Sequence, residues 1–233
     1  MEIHKPRPWH GIREFLKEYL IIAVGVLTAL AAEQMVVAAH ERRIADEARE
    51  SVRAEVRENV WWLERREVRE PCVRQKLTEI RDVLDRARHG QAYPVPRQVG
   101  INAHIKLTSL RWEANAQAGR ASLFTTQEQR TLGNMYFTTE EFRHAQSVEE
   151  EDWSKLRAME GLDRLTPAEI DAFAILLAQA SYEADRIELS LERAHQWAAT
   201  MGLKAANPNA FEMPLPSATA PSCTSISTPR SAT

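Results

Sequence analysis

The chain has 233 residues, enough for one sizeable domain or two small ones, with only 8 glycines and an abundance of Ala, Glu, Arg and Leu. That composition argues for an all-α protein and against a sandwich or an α/β fold, which need many turns. Thirty basic and 33 acidic residues leave a formal net charge of −3. No basic stripe with interleaved aromatics is present, so nucleic acid is not an expected partner.

The first 19 residues form a short lead with Lys5, Arg7, Arg13 and Lys17, together with Trp9 and Tyr19. Residues 20–39, "LIIAVGVLTALAAEQMVVAA", are apolar apart from Glu33 and Gln34. Twenty helical residues at about 1.5 Å each match a bilayer core of about 30 Å. Interfacial Trp and Tyr fit the same reading, and Glu33 is far enough from the midplane to reach headgroups or to be protonated. A membrane-spanning helix is the expectation. Its rival is a cleaved signal peptide, with a positive lead, an apolar centre at Leu20–Leu27 and an A-x-A site at Ala29–Ala31. Glu14, Glu18 and the renewed apolar run at Met35–Ala39 speak against it. Arg42, Arg43, Arg49 and Arg53 balance the four basic residues before the span, so positive charge does not decide orientation. The signal-like arrangement favours an N-terminus in the cytoplasm and a body in the periplasm, on the bacterial inner membrane.

Gly25, Ala29, Ala32 and Glu33 fall at i, i+4, i+7 and i+8 and share one stripe. Small residues at that spacing suit a helix–helix interface, with Glu33 inside the contact. The alternative is that small residues are common in spans and that Glu33 reaches toward the headgroups.

Residues 40–204 read as a helical extramembrane domain. Ile44, Ala48, Val52, Val56, Val60 and Leu63 recur every three or four residues with charge between them. This predicts a helix running on from the span to about Glu70, where Pro71 kinks it or opens a new helix. Val73, Leu77, Ile80 and Leu84 continue the stripe, and Gly90 closes it. "YPVPRQVG", residues 93–100, is a loop. A short helix follows with Leu110, Ala114 and Ala118 on one side and Gly119 as its stop. Thr125-Thr126-Gln127-Glu128 predicts a capping box and a long helix with Leu132, Met135, Phe142, Trp153, Leu156 and Met159 as its core side. Thr166, Pro167 and Glu169 predict a second box, followed by Ile170, Phe173, Leu177, Ala180, Ile187, Leu191, Ala194 and Trp197. Residues 205–233 hold five prolines and nine Ser/Thr and predict a disordered or extended tail.

The stretch "REFLKEYLIIAVGVLTALAAEQ", with "PCVRQKLTEI" (Pro71–Ile80) and "WEANAQAGRASLFTT" (Trp112–Thr126), resembles a group of uncharacterised bacterial single-pass membrane proteins. Their spans carry a "GVLxAL" core and a Glu-Gln pair. The resemblance implies an uncleaved anchor and a helical envelope domain, and implies no activity.

Two E-x-x-H pairs, Glu141/His144 and Glu192/His195, have the spacing used by di-iron bundles. His144 lies half a turn round the helix from Trp153, so a solvated face is expected instead, with no metal and no cofactor. The run Glu149-Glu150-Glu151-Asp152 lacks the pattern of a calcium loop and is likewise expected to face solvent. Trp61 and Trp62 are about 100° apart on a helix. One of them is therefore expected to meet another helix, the tail or a partner. Cys72 and Cys223 either form one disulfide that folds the tail back or remain two free thiols, according to compartment.

No nucleophile–base set or phosphate loop is visible, so no enzymatic activity is expected. The sequence points to a membrane-anchored structural or protein-interaction module, associating with itself or with an envelope partner. A membrane sensor binding a ligand in the helical domain is the alternative, weakened by the short segment before the span.

Overall fold

The computed structural model describes residues 11–101, 104–206 and 223–228. All regular structure among them is helical: α1 (Ile12–Arg88), α2 (Leu110–Gln117), α3 (Thr126–Leu156) and α4 (Pro167–Thr200), with 3-10 turns at Arg120–Leu123 and Arg157–Met159. The chain divides into two compact units, residues 1–48 and 49–233.

The described part of the first unit is helical from Ile12 onward. It contains the one described segment long and apolar enough to cross a membrane, and none of that apolar window is buried. Ile21, Ile22, Leu27 and Val36 are each more than 60% exposed. Side chains of this kind on all sides of a helix have no use in water.

The second unit is a bundle. Its part of α1 lays a stripe at alternating steps of four and three residues: Val52, Val56, Asn59, Leu63, Arg66, Glu70, Val73, Leu77, Ile80, Leu84, all buried. A mean period of about 3.6 keeps one seam facing its neighbours over nine steps. The partners are α3 and α4. From the N-terminal end of this unit, Arg49 meets Glu128, Glu55 meets Tyr136 and Arg66 meets Glu149, so α3 runs parallel to α1. Arg53 meets Met201 and Arg74 meets Asp185, so α4 runs the other way. One end of the bundle is a continuous apolar core in which Val73, Leu77 and Ile80 of α1 meet Trp153 and Leu156 of α3 and Phe173 and Leu177 of α4.

Both predicted helix starts are present as complete capping boxes. Thr125 accepts from the Glu128 N–H while Glu128 accepts from the Thr125 N–H. Thr166 and Glu169 do the same, with Pro167 in the first turn.

Three expectations need correction. Of the two expectations for Pro71, the new helix is excluded: α1 is continuous through it to Arg88. The pyrrolidine sits on the exposed side, while the buried residues on either side of it, Glu70 and Val73, are packed into the bundle. Their packing outweighs one missing N–H. The apolar side of α2 is turned outward. Leu110 is 72% exposed, Ala114 and Ala118 are exposed, and Asn115 is the buried residue. Trp197 is half-buried and not a full core member.

Candidate functional site

Arg66 lies at the middle of α1's buried stripe with 0% exposure. Its Nη1 donates to Glu70 at 2.6 Å, and its Nη2 donates to both oxygens of Glu149, at 2.9 and 3.2 Å. Glu70 also accepts from Arg74 Nε at 3.1 Å. Arg74 then reaches α4, donating to Asp185 at 2.5 Å and to Glu188 at 2.7 Å. Two guanidinium groups thus tie four carboxylates from three helices into one network that goes from a dry centre to the surface. Burial pushes the Glu149 carboxyl above the usual carboxylate range, Arg66 pulls it down, and the neighbouring Glu70 pushes it up again. This corrects the reading of the acidic run as a solvated face. Glu149 is 1% and Asp152 3% exposed, whereas Glu150 and Glu151 do face solvent. Alternate pairs of a helical run look in opposite directions.

A second polar group organises the connection from α1 to α3. Glu55, 0% exposed, accepts from the backbone N–H groups of Arg111 and Trp112 at 2.9 and 3.1 Å and from the Tyr136 hydroxyl at 2.7 Å. A carboxylate from α1 therefore caps the N-terminus of α2, where unpaired donors and the helix dipole favour negative charge. Burial, followed by the bond to Glu55, raises the Tyr136 phenol far above its ordinary value, so it stays a donor. Trp112 stacks on Tyr136 with ring centres 5.4 Å apart. Two side-chain amides read the irregular backbone before α2. Asn59 exchanges bonds of 2.8 and 3.0 Å with Thr108, and Gln146 exchanges bonds of 2.9 and 3.0 Å with Ile105. These bonds satisfy peptide groups that would otherwise be buried without partners.

A cavity of about 420 Å³ lies on the second unit. Glu149 and Trp153 lie along α3 on one side, and Gln98, Gly100 and Ile101 form the other wall. His104, at its edge, pairs with Glu150 and lies 3.0 Å from the Gln146 amide. A Cβ at Gly100 would lie 3.0 Å from the Arg157 side chain, which would have to shift to make room. The lining offers mixed charge and an aromatic edge.

The structure joins Cys72 to Cys223 with Cα atoms 5.1 Å apart. The described part of the tail, 223–228, is docked. Ile226 is 2% exposed within the apolar core, and Glu79 accepts both its N–H and the Ser225 hydroxyl. The rest of the predicted tail beyond Ala206 lies outside the described residues.

Gly25, Ala29, Ala32 and Glu33 are exposed on the first unit, and nothing lies within 4 Å of a Cβ built at Gly25. The E-x-x-H residues are not brought together. Glu141 meets Arg193 at 3.4 Å, His195 lies 3.5 Å from Glu67, and His144 is exposed. No group of three or more His, Cys, Asp or Glu placed to hold a metal ion occurs among the described residues. Trp61 is buried and Trp62 half-buried, edge to face at 4.7 Å, with the Arg65 guanidinium 4.5 Å above Trp61. Sequence reading missed Arg66, Glu70, Glu55 and Asn59. The sole signal for Arg66, Glu70 and Asn59 is that they continue an apolar stripe at the same spacing.

No protein-family model, no curated protein and no solved structure matches this chain.

Proposed function

We propose that this is a single-pass membrane protein of the bacterial envelope whose helical domain is a structural or protein-interaction module without catalytic activity. The observation that carries the reading is the apolar window on α1, none of which is buried. A soluble helix with Ile21, Ile22, Leu27 and Leu30 open to water would carry a large solvation penalty. The anchor is inserted in the inner membrane with the body in the periplasm. The Cys72–Cys223 disulfide supports that side, because such bonds persist in oxidising compartments. The likeness of residues 13–34 to bacterial single-pass proteins agrees with an uncleaved anchor. The polar contacts of the second unit, from Arg66 to Glu55, hold helices in register.

The stripe Gly25, Ala29, Ala32 and Glu33 supports self-association within the membrane, where small residues allow close approach. A second reading, a sensor that binds a small polar ligand in the body, is favoured by the 420 Å³ cavity beside Glu149 and Trp153.

Membrane fractionation of cells producing the full chain, with a reporter fused at Ala205, tests the proposal. Retention after alkaline carbonate, an intact N-terminus and periplasmic reporter activity are expected. Protein that washes off, or that starts at Ala32, overturns the anchor.

A further inference from the structure

The tail completes a wall of the bundle. The Ile226 carbonyl accepts from the backbone N–H groups of Arg97 and Gln98 at 2.6 and 2.8 Å. At the other end of the same residue, the Glu79 carboxylate takes the Ile226 N–H at 2.6 Å. The isoleucine side chain joins the core cluster that contains Val83 and Val99. Segment 97–101 thus depends on the tail for backbone partners and for a core residue.

The same segment borders the large cavity. Gln98, whose N–H is held by Ile226, lines that cavity together with Gly100 and Ile101. Lys76 Nζ binds the carbonyls of Gln98 and Gly100 at 2.8 and 2.6 Å, and Glu160 takes the Val99 N–H at 3.0 Å. The wall is therefore pinned from three sides, and one pin is a piece of chain whose covalent tie can be cut. Fixing the backbone of residues 223–228 costs about as much in conformational entropy as one buried isoleucine and a few hydrogen bonds return in water, which leaves little surplus to hold the segment. The disulfide supplies that hold by keeping the segment beside its groove.

We propose that the Cys72–Cys223 bond is a redox latch: opening it releases segment 223–228 and loosens the 97–101 wall of the cavity. Both cysteines are half-buried, outside the apolar core cluster. The reductant is a dithiol, of a protein or a small molecule. One of its thiolates attacks a sulfur of the bridge, the S–S bond breaks, and a mixed disulfide forms while the other cysteine leaves as thiolate. The second thiol of the reductant resolves the mixed disulfide. Cys72 and Cys223 end as thiols carrying two protons, and the reductant ends as a disulfide. The inference concerns the second unit alone and holds whether or not the chain is anchored as proposed above.

Amide hydrogen exchange on the full chain, in mild detergent, with and without dithiothreitol, provides the test. In the oxidised chain the Arg97, Gln98 and Ile226 amides are expected to be protected. After reduction, verified by titration of both thiols, they should exchange about a hundredfold faster or more, while Phe142 and Ala184 stay strongly protected. Cys223→Ser should reproduce this without reductant. Ile226→Asp, with the bond intact, should loosen Arg97 and Gln98 alike. Unchanged protection at Arg97 and Gln98 in fully reduced protein would overturn the latch. Loss of protection at Phe142 and Ala184 to the same degree would also overturn it, because the bond would then be a staple for the whole bundle.

Discussion

Arg66 and Glu149 are separated by 83 residues in sequence and meet at 2.9 Å, their side chains 0% and 1% exposed. Removing one member strands the other's charge in a dry interior. Arg66→Met is therefore expected to destabilise the chain by about 3–5 kcal/mol, and Arg66→Met combined with Glu149→Leu by much less, because no carboxylate is left there without its cation. Chemical denaturation of the three proteins checks the order. A double variant no more stable than Arg66→Met would mean that the two side chains contribute independently.

Glu55 serves three donors at once, so its loss should exceed the loss of any one of them. Glu55→Ala leaves the Arg111 and Trp112 N–H groups and the Tyr136 hydroxyl without their acceptor. It should cost about 3 kcal/mol or more, whereas Tyr136→Phe should cost about 1 kcal/mol. Thermal unfolding gives the comparison, and the fluorescence of Trp112, stacked on Tyr136, should report the loosening of α2 in Glu55→Ala.

Asp152 gives a pH signature of known sign. Burial raises its carboxyl above the ordinary value, Lys155 opposes the shift, and Glu151 and Glu183 add to it. With the folded value above the unfolded one, its stabilising contribution is present below the unfolded value and is lost as pH rises through the folded one. Asp152→Asn removes that dependence. The variant should gain stability relative to the native chain between about pH 4 and about pH 7, and unfolding midpoints at the two pH values measure the gain. A constant difference across that range would show that Asp152 titrates as it does in the unfolded chain.

Thr166 satisfies the Glu169 N–H at the start of α4, and Glu169 satisfies the Thr166 N–H in return. Thr166→Ala should cost about 1 kcal/mol and Thr166→Ser much less, read as shifts in thermal midpoint.

The parts of the fold legible in the sequence are those coded locally. The two capping boxes and the stripe Val52, Val56, Leu63, Val73, Leu77 and Ile80 need no knowledge of a partner. Asn59, Arg66 and Glu70 occupy the same stripe, yet a charged or amide side chain reads as solvated until its partner is known. Those partners lie far away in sequence: Thr108 for Asn59 and Glu149 for Arg66. The direction of α2 failed for a related reason. An eight-residue helix takes its orientation from whatever caps it, here Glu55, and from the large ring of Trp112, so three small or isolated apolar residues on its other face carry little weight. The pairing of Cys72 with Cys223 stood open in the sequence because its answer depends on compartment.

The Cys72–Cys223 bridge joins residues 151 positions apart in sequence, and the stretch between them holds α2, α3 and α4 entire. A protease that cuts this closed ring once liberates no fragment. The nicked protein keeps its full set of atoms and gains one water, so it migrates as a single species until a reductant parts the two pieces.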